Sequence, residues 1–263
     1  MRRSPEINYQ YFRHYVESLP MRGSLRVLDY GCGAGEIVAR LREAGLHAEG
    51  CDVYYEGASS EQSPQARELL QSGHVRIIDE QADLPYAPKS FDVIVTNMVF
   101  EHVRDLDAVL RRLERVLKPD GHILAHFPTK EVFREGHIGI PFVHRFPPAS
   151  RVRAAYALAL RMAGLGYFKD QADGPREWTR RHLAWLDTYC HYRSMPELRQ
   201  LVDGRFDVSF NEMQYMRFRA GGRLWLRRLI DLPLFAPLWS WLFRRAAFTA
   251  LVLRPTHSGH AER

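Results

Sequence analysis

A chain of 263 residues with 46% hydrophobic content suits one α/β domain carrying an insertion. Its net charge of +6 comes almost wholly from arginine, because Lys89, Lys118, Lys130 and Lys169 are the only lysines. That charge favours anionic substrates or membrane surfaces, and no recognised nucleic-acid module accompanies it, so no nucleic-acid partner is expected. Cys32, Cys51 and Cys190 have neither metal nor disulfide spacing, which excludes a disulfide scaffold and fits a reducing cytoplasm.

Met1 to Pro5 is charged and leads into no apolar run, so no signal peptide is expected. Residues 7–19 are predicted to be helical: Tyr11, Tyr15 and Leu19 recur at i, i+4 and i+8, with Phe12 and Val16 beside them. The segment 1–23 is therefore read as an N-terminal helix covering a site, with Tyr9 and Tyr11 either lying over that site or packing as ordinary aromatics.

The apolar run Leu25 to Leu28 is of buried-strand type. It leads into Asp29-Tyr30-Gly31-Cys32-Gly33-Ala34-Gly35 and helix-forming sequence from Glu36 to Ala44. A strand, a glycine turn and a helix in that order put backbone N–H groups at the carboxyl edge of a parallel sheet, where nucleotide-like cofactors bind. The dinucleotide fingerprint G-x-G-x-x-G needs a third glycine where this chain has Glu36, which disfavours an NAD-linked oxidoreductase. His47 to Val53 reads as the second strand, and Asp52 near its end can accept both ribose hydroxyls of an adenosine. The loop from Tyr54 to Pro64 is long and polar.

Further blocks follow in order: Glu80-Gln81-Ala82-Asp83-Leu84-Pro85-Tyr86, Ser90 to Asn97 as a strand, Glu101-His102-Val103, and Arg115 to Gly121 before a strand from His122 to His126. Arg104 to Leu117 is an amphipathic helix with Leu106, Val109, Leu110, Leu113, Val116 and Leu117 on its apolar side. The pattern D-x-G-x-G-x-G together with these blocks resembles class I S-adenosylmethionine (SAM) methyltransferases, specifically the ubiquinone-biosynthesis-like (methyltransferase domain type 11) group. The resemblance covers about residues 25–127.

The resemblance implies a Rossmann-like, doubly wound, seven-stranded α/β sheet, mostly parallel with an antiparallel last strand and a helical lid insertion. It implies S-adenosyl-L-methionine as cofactor. Asp29 would orient the glycine turn, Gly31, Gly33 and Gly35 would approach the cofactor, and Asp52 would bind the ribose. Glu80 and Gln81 would lie near the adenine, and Asn97 near the methionine part. Glu80 departs from the family's usual Asp.

Residues 24–127 are thus the SAM-binding core and residues 128–194 a substrate lid, with helices from about Ser150 to Ala163 and near Trp178 to Cys190; a connection this long is uncommon unless functional. Residues 195–254 finish the core, with Phe206 to Tyr215 and Ala247 to Leu253 as strands. The tail 255–263 is expected to be disordered. Between those strands, Leu224 to Arg245 is a tryptophan-bearing helical insertion interrupted by Pro233 and Pro237, suited either to protein packing, including a homodimer, or to a membrane interface. Its uncharged runs fall short of the roughly twenty residues that span a bilayer, so the protein is expected in the cytoplasm, peripheral at the inner membrane face if the lipid reading holds.

A SAM methyl is already activated, so a base is needed only for an acidic acceptor such as a hydroxyl. Base candidates are Glu135, His137 and His144 in the lid; their spacing matches no familiar zinc pattern, and no metal is expected. The expected function is O-methylation of a small-molecule, glycan or lipid-linked acceptor. A non-catalytic methyltransferase-like partner protein is the remaining alternative.

Overall fold

The computed structural model describes residues 5–20, 25–54, 63–79 and 81–256. Seven strands form one sheet in the order β3-β2-β1-β4-β5-β7-β6. They are β1 (Arg26–Tyr30), β2 (His47–Asp52), β3 (Val75–Ile77), β4 (Phe91–Asn97), β5 (Leu117–Phe127), β6 (Phe206–Phe210) and β7 (Thr249–Pro255). β1 pairs in parallel with β2 and β4, while β7 runs antiparallel between β5 and β6. This is the doubly wound seven-stranded sheet with an antiparallel last strand that the sequence predicted.

The strands in the middle are buried on both faces. Val27, Leu28, Val93, Ile94, Val95, Ile123 and Leu124 are all at most 1% exposed, which is why they read as continuous apolar runs rather than alternating ones. On one face lie α4 (Leu106–Val116) and α7 (Met195–Val202); on the other lie α1 (Pro5–Ser18), α2 (Glu36–Glu43), α3 (Pro64–Gln71) and α8 (Glu212–Ala220). The chain order reverses at β1, flanked by β2 and β4, so a crevice at the carboxyl ends of β1, β2 and β4 is the expected ligand position.

Several boundaries differ from the sequence reading. The predicted strand Phe206 to Tyr215 stops at Phe210. Asn211 donates its backbone N–H to Ala250 O at 2.8 Å, and α8 begins at the next residue, turning Tyr215 into the core against α1. Helix-forming Glu-Met-Gln sequence outweighs the β propensity of Tyr215 there. The last strand is shifted to Thr249–Pro255, so Pro255 belongs to the sheet rather than to a tail, and Thr256 bonds back to Arg205 O and Gly204 O. Residues 257–263 lie outside the described residues.

The segment 128–194 carries α5 (Arg151–Met162) and α6 (Pro175–Tyr189), which pack against each other around Trp178, Ile138, Ile140, Val143 and Leu186. This small core is separate from the two that clasp the sheet. The insertion after α8 folds as α9 (Leu224–Ile230), a 3₁₀ turn at Pro233–Phe235 and α10 (Ala236–Ala246). Pro237 does not break α10 but occupies its first turn, where a missing N–H is tolerated.

Candidate active site

The glycine turn joins β1 to α2 with positive φ at Gly31 (73°), Gly33 (52°) and Gly35 (77°). A side chain at Gly31 would sit 2.4 Å from Val99 Cγ2, and one at Gly35 would sit 2.3 Å from Leu69 Cδ1. The positive φ favours glycine at both positions, and at Gly31 the branched Val99 side chain also leaves no space for another residue. Asp52 lies across the turn: its Oδ2 accepts from Gly33 N–H at 2.7 Å and its Oδ1 from Tyr54 N–H at 3.1 Å. The Tyr54 hydroxyl donates to Gly33 O at 2.6 Å, which ties the ends of β1 and β2 together.

Asp29 is 2% exposed, and neither of its carboxylate oxygens has a hydrogen-bond partner among the described residues. Burial, then the charge of Asp52, push its carboxyl well above the usual range. An unpartnered buried acid beside a glycine cradle, with a second acid one strand away, suits a ligand bearing an ammonium group and vicinal hydroxyls. SAM has both, and the residues present fit it.

Asn97 ends β4 and accepts at Oδ1 from Asn8 Nδ2 at 3.0 Å; Asn8 in turn accepts from the Tyr215 hydroxyl at 2.6 Å. This chain clamps α1 over the sheet edge. Of the two tyrosines on α1, Tyr11 is fully buried, hydrogen-bonds to Asn211 and stacks on His126, so it packs the core rather than covering the cofactor. Tyr9 is half-buried against the same core, and its phenol is pushed up by burial and by the charges of Glu36, Asp29 and Glu6. Gln81 lies exposed on the loop after β3, its backbone held by Asp79 and Arg112. Glu80 lies outside the described residues.

The second half of the site is built where the lid meets the loop after β4. That loop begins at Met98, sets Val99 against Gly31, and continues to Glu101 and His102. The segment 190–193 is fastened onto it: His191 N–H donates to Glu101 O at 2.6 Å, and the Arg193 guanidinium donates to the carbonyls of Phe100, Val103 and Arg104. Against this seam the lid loop sets Glu135 and His137. His137 Nδ1 lies 2.7 Å from Glu135 Oε1 and 3.0 Å from the Tyr192 hydroxyl, which itself donates to Glu135 at 2.5 Å.

Glu135 is 0% exposed, and it also accepts from the backbone N–H groups of His137 and Ile138. Burial pushes this carboxyl up, but the His137 hydrogen bond and charge and the Ile138 and Tyr192 donors outweigh it and hold it low. Burial pushes the His137 imidazole down, but its contacts with Cys190 and Glu135 carry it well above the ordinary value. The pair rests as carboxylate and imidazolium. The Glu135 carboxylate is saturated with donors, from the backbone N–H groups of His137 and Ile138, the His137 ring and the Tyr192 hydroxyl.

His144 joins the same region by packing its ring 5.0 Å from that of Tyr192, and burial takes its imidazole down to about 4, so it is neutral. Glu101 is 2% exposed with Oε2 unpartnered among the described residues, and burial pushes its carboxyl up to about 8. Ligand-type atoms of His102, His137 and Cys190 lie within 4.8 Å of one another, but both Nδ1 atoms face oxygen: His102 donates to Tyr189 O at 2.7 Å and His137 meets Glu135. Sequence reasoning missed Tyr54, Cys190 and Tyr192. No motif marks them, and only the fold brings them beside their partners.

A family model described as a methyltransferase domain matches residues 6–205. Among curated relatives, the malonyl-[acyl-carrier protein] O-methyltransferase of Erwinia pyrifoliae is 29% identical over 60% of this chain and 61% of its own length. The 27-O-demethylrifamycin SV methyltransferase of Amycolatopsis mediterranei is 36% identical over 40% of this chain and 39% of its own. The chain thus spans about 39–61% of the length of these relatives. A solved SAM-dependent methyltransferase from Mesorhizobium loti shares the fold with a TM-score of 0.53 at 19% identity, covering 94% of this chain and 97% of that one. The family model, which spans most of the chain, shows that it belongs to the methyltransferase-domain family, a class of SAM-dependent transferases, and the glycine cradle, the paired acids and the sheet order agree with that.

Proposed function

We propose that this protein O-methylates a hydroxyl-bearing small-molecule, glycan or lipid-linked acceptor, with His137 as the base and Glu135 as the residue that positions it. The observation that carries the reading is the Glu135–His137–Tyr192 arrangement at the seam between the lid and the loop after β4. Bound SAM supplies a methyl activated by its sulfonium. Asp29 takes the ammonium, Asp52 the ribose hydroxyls and Asn97 the methionine part, while Glu80 and Gln81 serve the adenine and Tyr9 screens the edge from water. Glu135 holds the Nδ1–H of His137, so that once the imidazolium has released its other proton to solvent, Nε2 of the neutral ring accepts the acceptor's hydroxyl proton. His144 stays neutral behind Tyr192 and shapes the wall.

The test uses deuteromethyl-labelled SAM with hydroxylated compounds and lipid extracts, read by mass spectrometry. Label in a methyl ether or ester is expected. His137→Asn should lower turnover at least a hundredfold with SAM affinity unchanged by calorimetry. Because Glu135 holds the imidazole proton, turnover should climb as pH rises and His137 becomes neutral, and Glu135→Gln should move that climb to lower pH. Label found only on nitrogen or carbon, or full activity in His137→Asn, overturns the reading.

A further inference from the structure

The segment from α9 to α10 is hydrophobic yet almost unburied. Between Leu224 and Ala246, only Ile230 is buried. Leu224 is 67% exposed, Trp225 69%, Leu234 84%, Leu238 47% and Trp241 42%. An apolar face of this extent does not remain bare to water in a stable soluble protein, so it has an occupant.

The charges around the face decide which occupant. Arg223, Arg227 and Arg228 are exposed along α9, and Arg245 lies with its guanidinium carbon 3.9 Å from the Trp241 ring centroid. The only acid in this stretch, Asp231, is paired with Arg217. A second copy of the chain meeting this surface across a two-fold axis would set the cationic rim against itself. An anionic lipid surface matches both features: it receives the leucines and tryptophans at the level of the acyl boundary and the arginines at the headgroups. α10 has 11 residues and α9 has 7, and no helix of the described residues is long and apolar enough to cross a membrane, so the hairpin lies on a bilayer rather than through it.

We propose that the α9–α10 hairpin is a docking surface for an anionic phospholipid bilayer. The surface adjoins the lid. Arg245 O at the foot of α10 accepts from Phe133 N–H at 2.7 Å, and Phe133, itself 41% exposed, packs on Phe142 two residues before His144. Docking therefore brings the loop bearing Glu135 and His137 to the lipid surface, where an amphiphilic acceptor would be held. The hairpin docks on the bilayer whatever that acceptor is.

The test is flotation of the full chain with phosphatidylcholine vesicles, with and without phosphatidylglycerol. Co-flotation is expected with the mixed vesicles, weaker on phosphatidylcholine alone and reduced by salt. Two variants separate the parts: Trp225→Asp with Leu234→Asp removes the apolar contact, and Arg227→Glu with Arg228→Glu reverses the charge. Each should reduce the bound fraction at least tenfold. All four side chains are exposed, so SAM binding should be unchanged, and that measurement certifies folding. Failure of the wild type to float with the mixed vesicles, or equal flotation of the variants, overturns the proposal. So does a dimer in solution that the Trp225→Asp, Leu234→Asp variant converts to monomer, because the occupant is then a second copy.

Discussion

Among the described residues, Asp29 is a buried acid with neither carboxylate oxygen partnered and Glu101 one with Oε2 unpartnered, and each is costly to the empty protein. A carboxyl whose folded value lies above its unfolded one destabilises the fold once pH exceeds the unfolded value, because the unfolded chain releases the proton more readily. For Glu101 the window runs from about 4.5 to about 8. Glu101→Gln should match the wild type in stability near pH 4 and exceed it increasingly up to pH 8, by a few kcal/mol. Urea unfolding at a series of pH values would show this, and parallel curves would contradict it. Asp29→Asn should likewise raise the melting temperature of the cofactor-free protein at neutral pH. It should also weaken SAM binding at least tenfold, since an amide cannot neutralise the ammonium. Calorimetry and thermal unfolding on the same sample test both halves; a variant that is more stable and binds SAM normally would remove Asp29 from the site.

At the scale of elements, the lid stands on its own small core rather than on the sheet. Trp178 is fully buried, donates from Nε1 to Tyr167 O at 2.9 Å and stacks on His182. Gly166 lies so near that a side chain there would sit 2.8 Å from the Trp178 ring. Trp178→Ala should cost about 3–5 kcal/mol locally. Hydrogen exchange should show α5 and α6 losing protection while β1, β4 and β5 keep theirs, because the two cores share few side chains. Uniform loss across the sheet would mean that lid and core unfold together. The helices of the lid were legible from composition alone, as was α4 from its apolar spacing. The end of β6 was not. Tyr215 has strand propensity, and it enters α8 because Asn211 and Glu212 redirect the chain against β7 and because the tyrosine fills the space between α1 and Phe248. Such an outcome depends on neighbours distant in sequence.

Across the whole molecule, the proposed function divides donor and acceptor roles between two structural layers. The cofactor edge belongs to the sheet, and the groups proposed to move the proton lie at the seam where the lid is fastened by Arg193 and His191. The sequence by itself determined the donor half: a strand, a glycine turn and two acids about twenty residues apart are chain-local, and their backbone geometry follows from residue type. Only the tertiary structure decided the acceptor half. Cys190 reaches His102 across 88 residues and Tyr192 reaches His137 across 55. The Glu135 carboxylate collects donors from both near and far in the chain, from Ile138 N–H three residues on and from the Tyr192 hydroxyl. No periodicity encodes such a meeting, since it is set by how a separately packed lid closes onto the end of a strand.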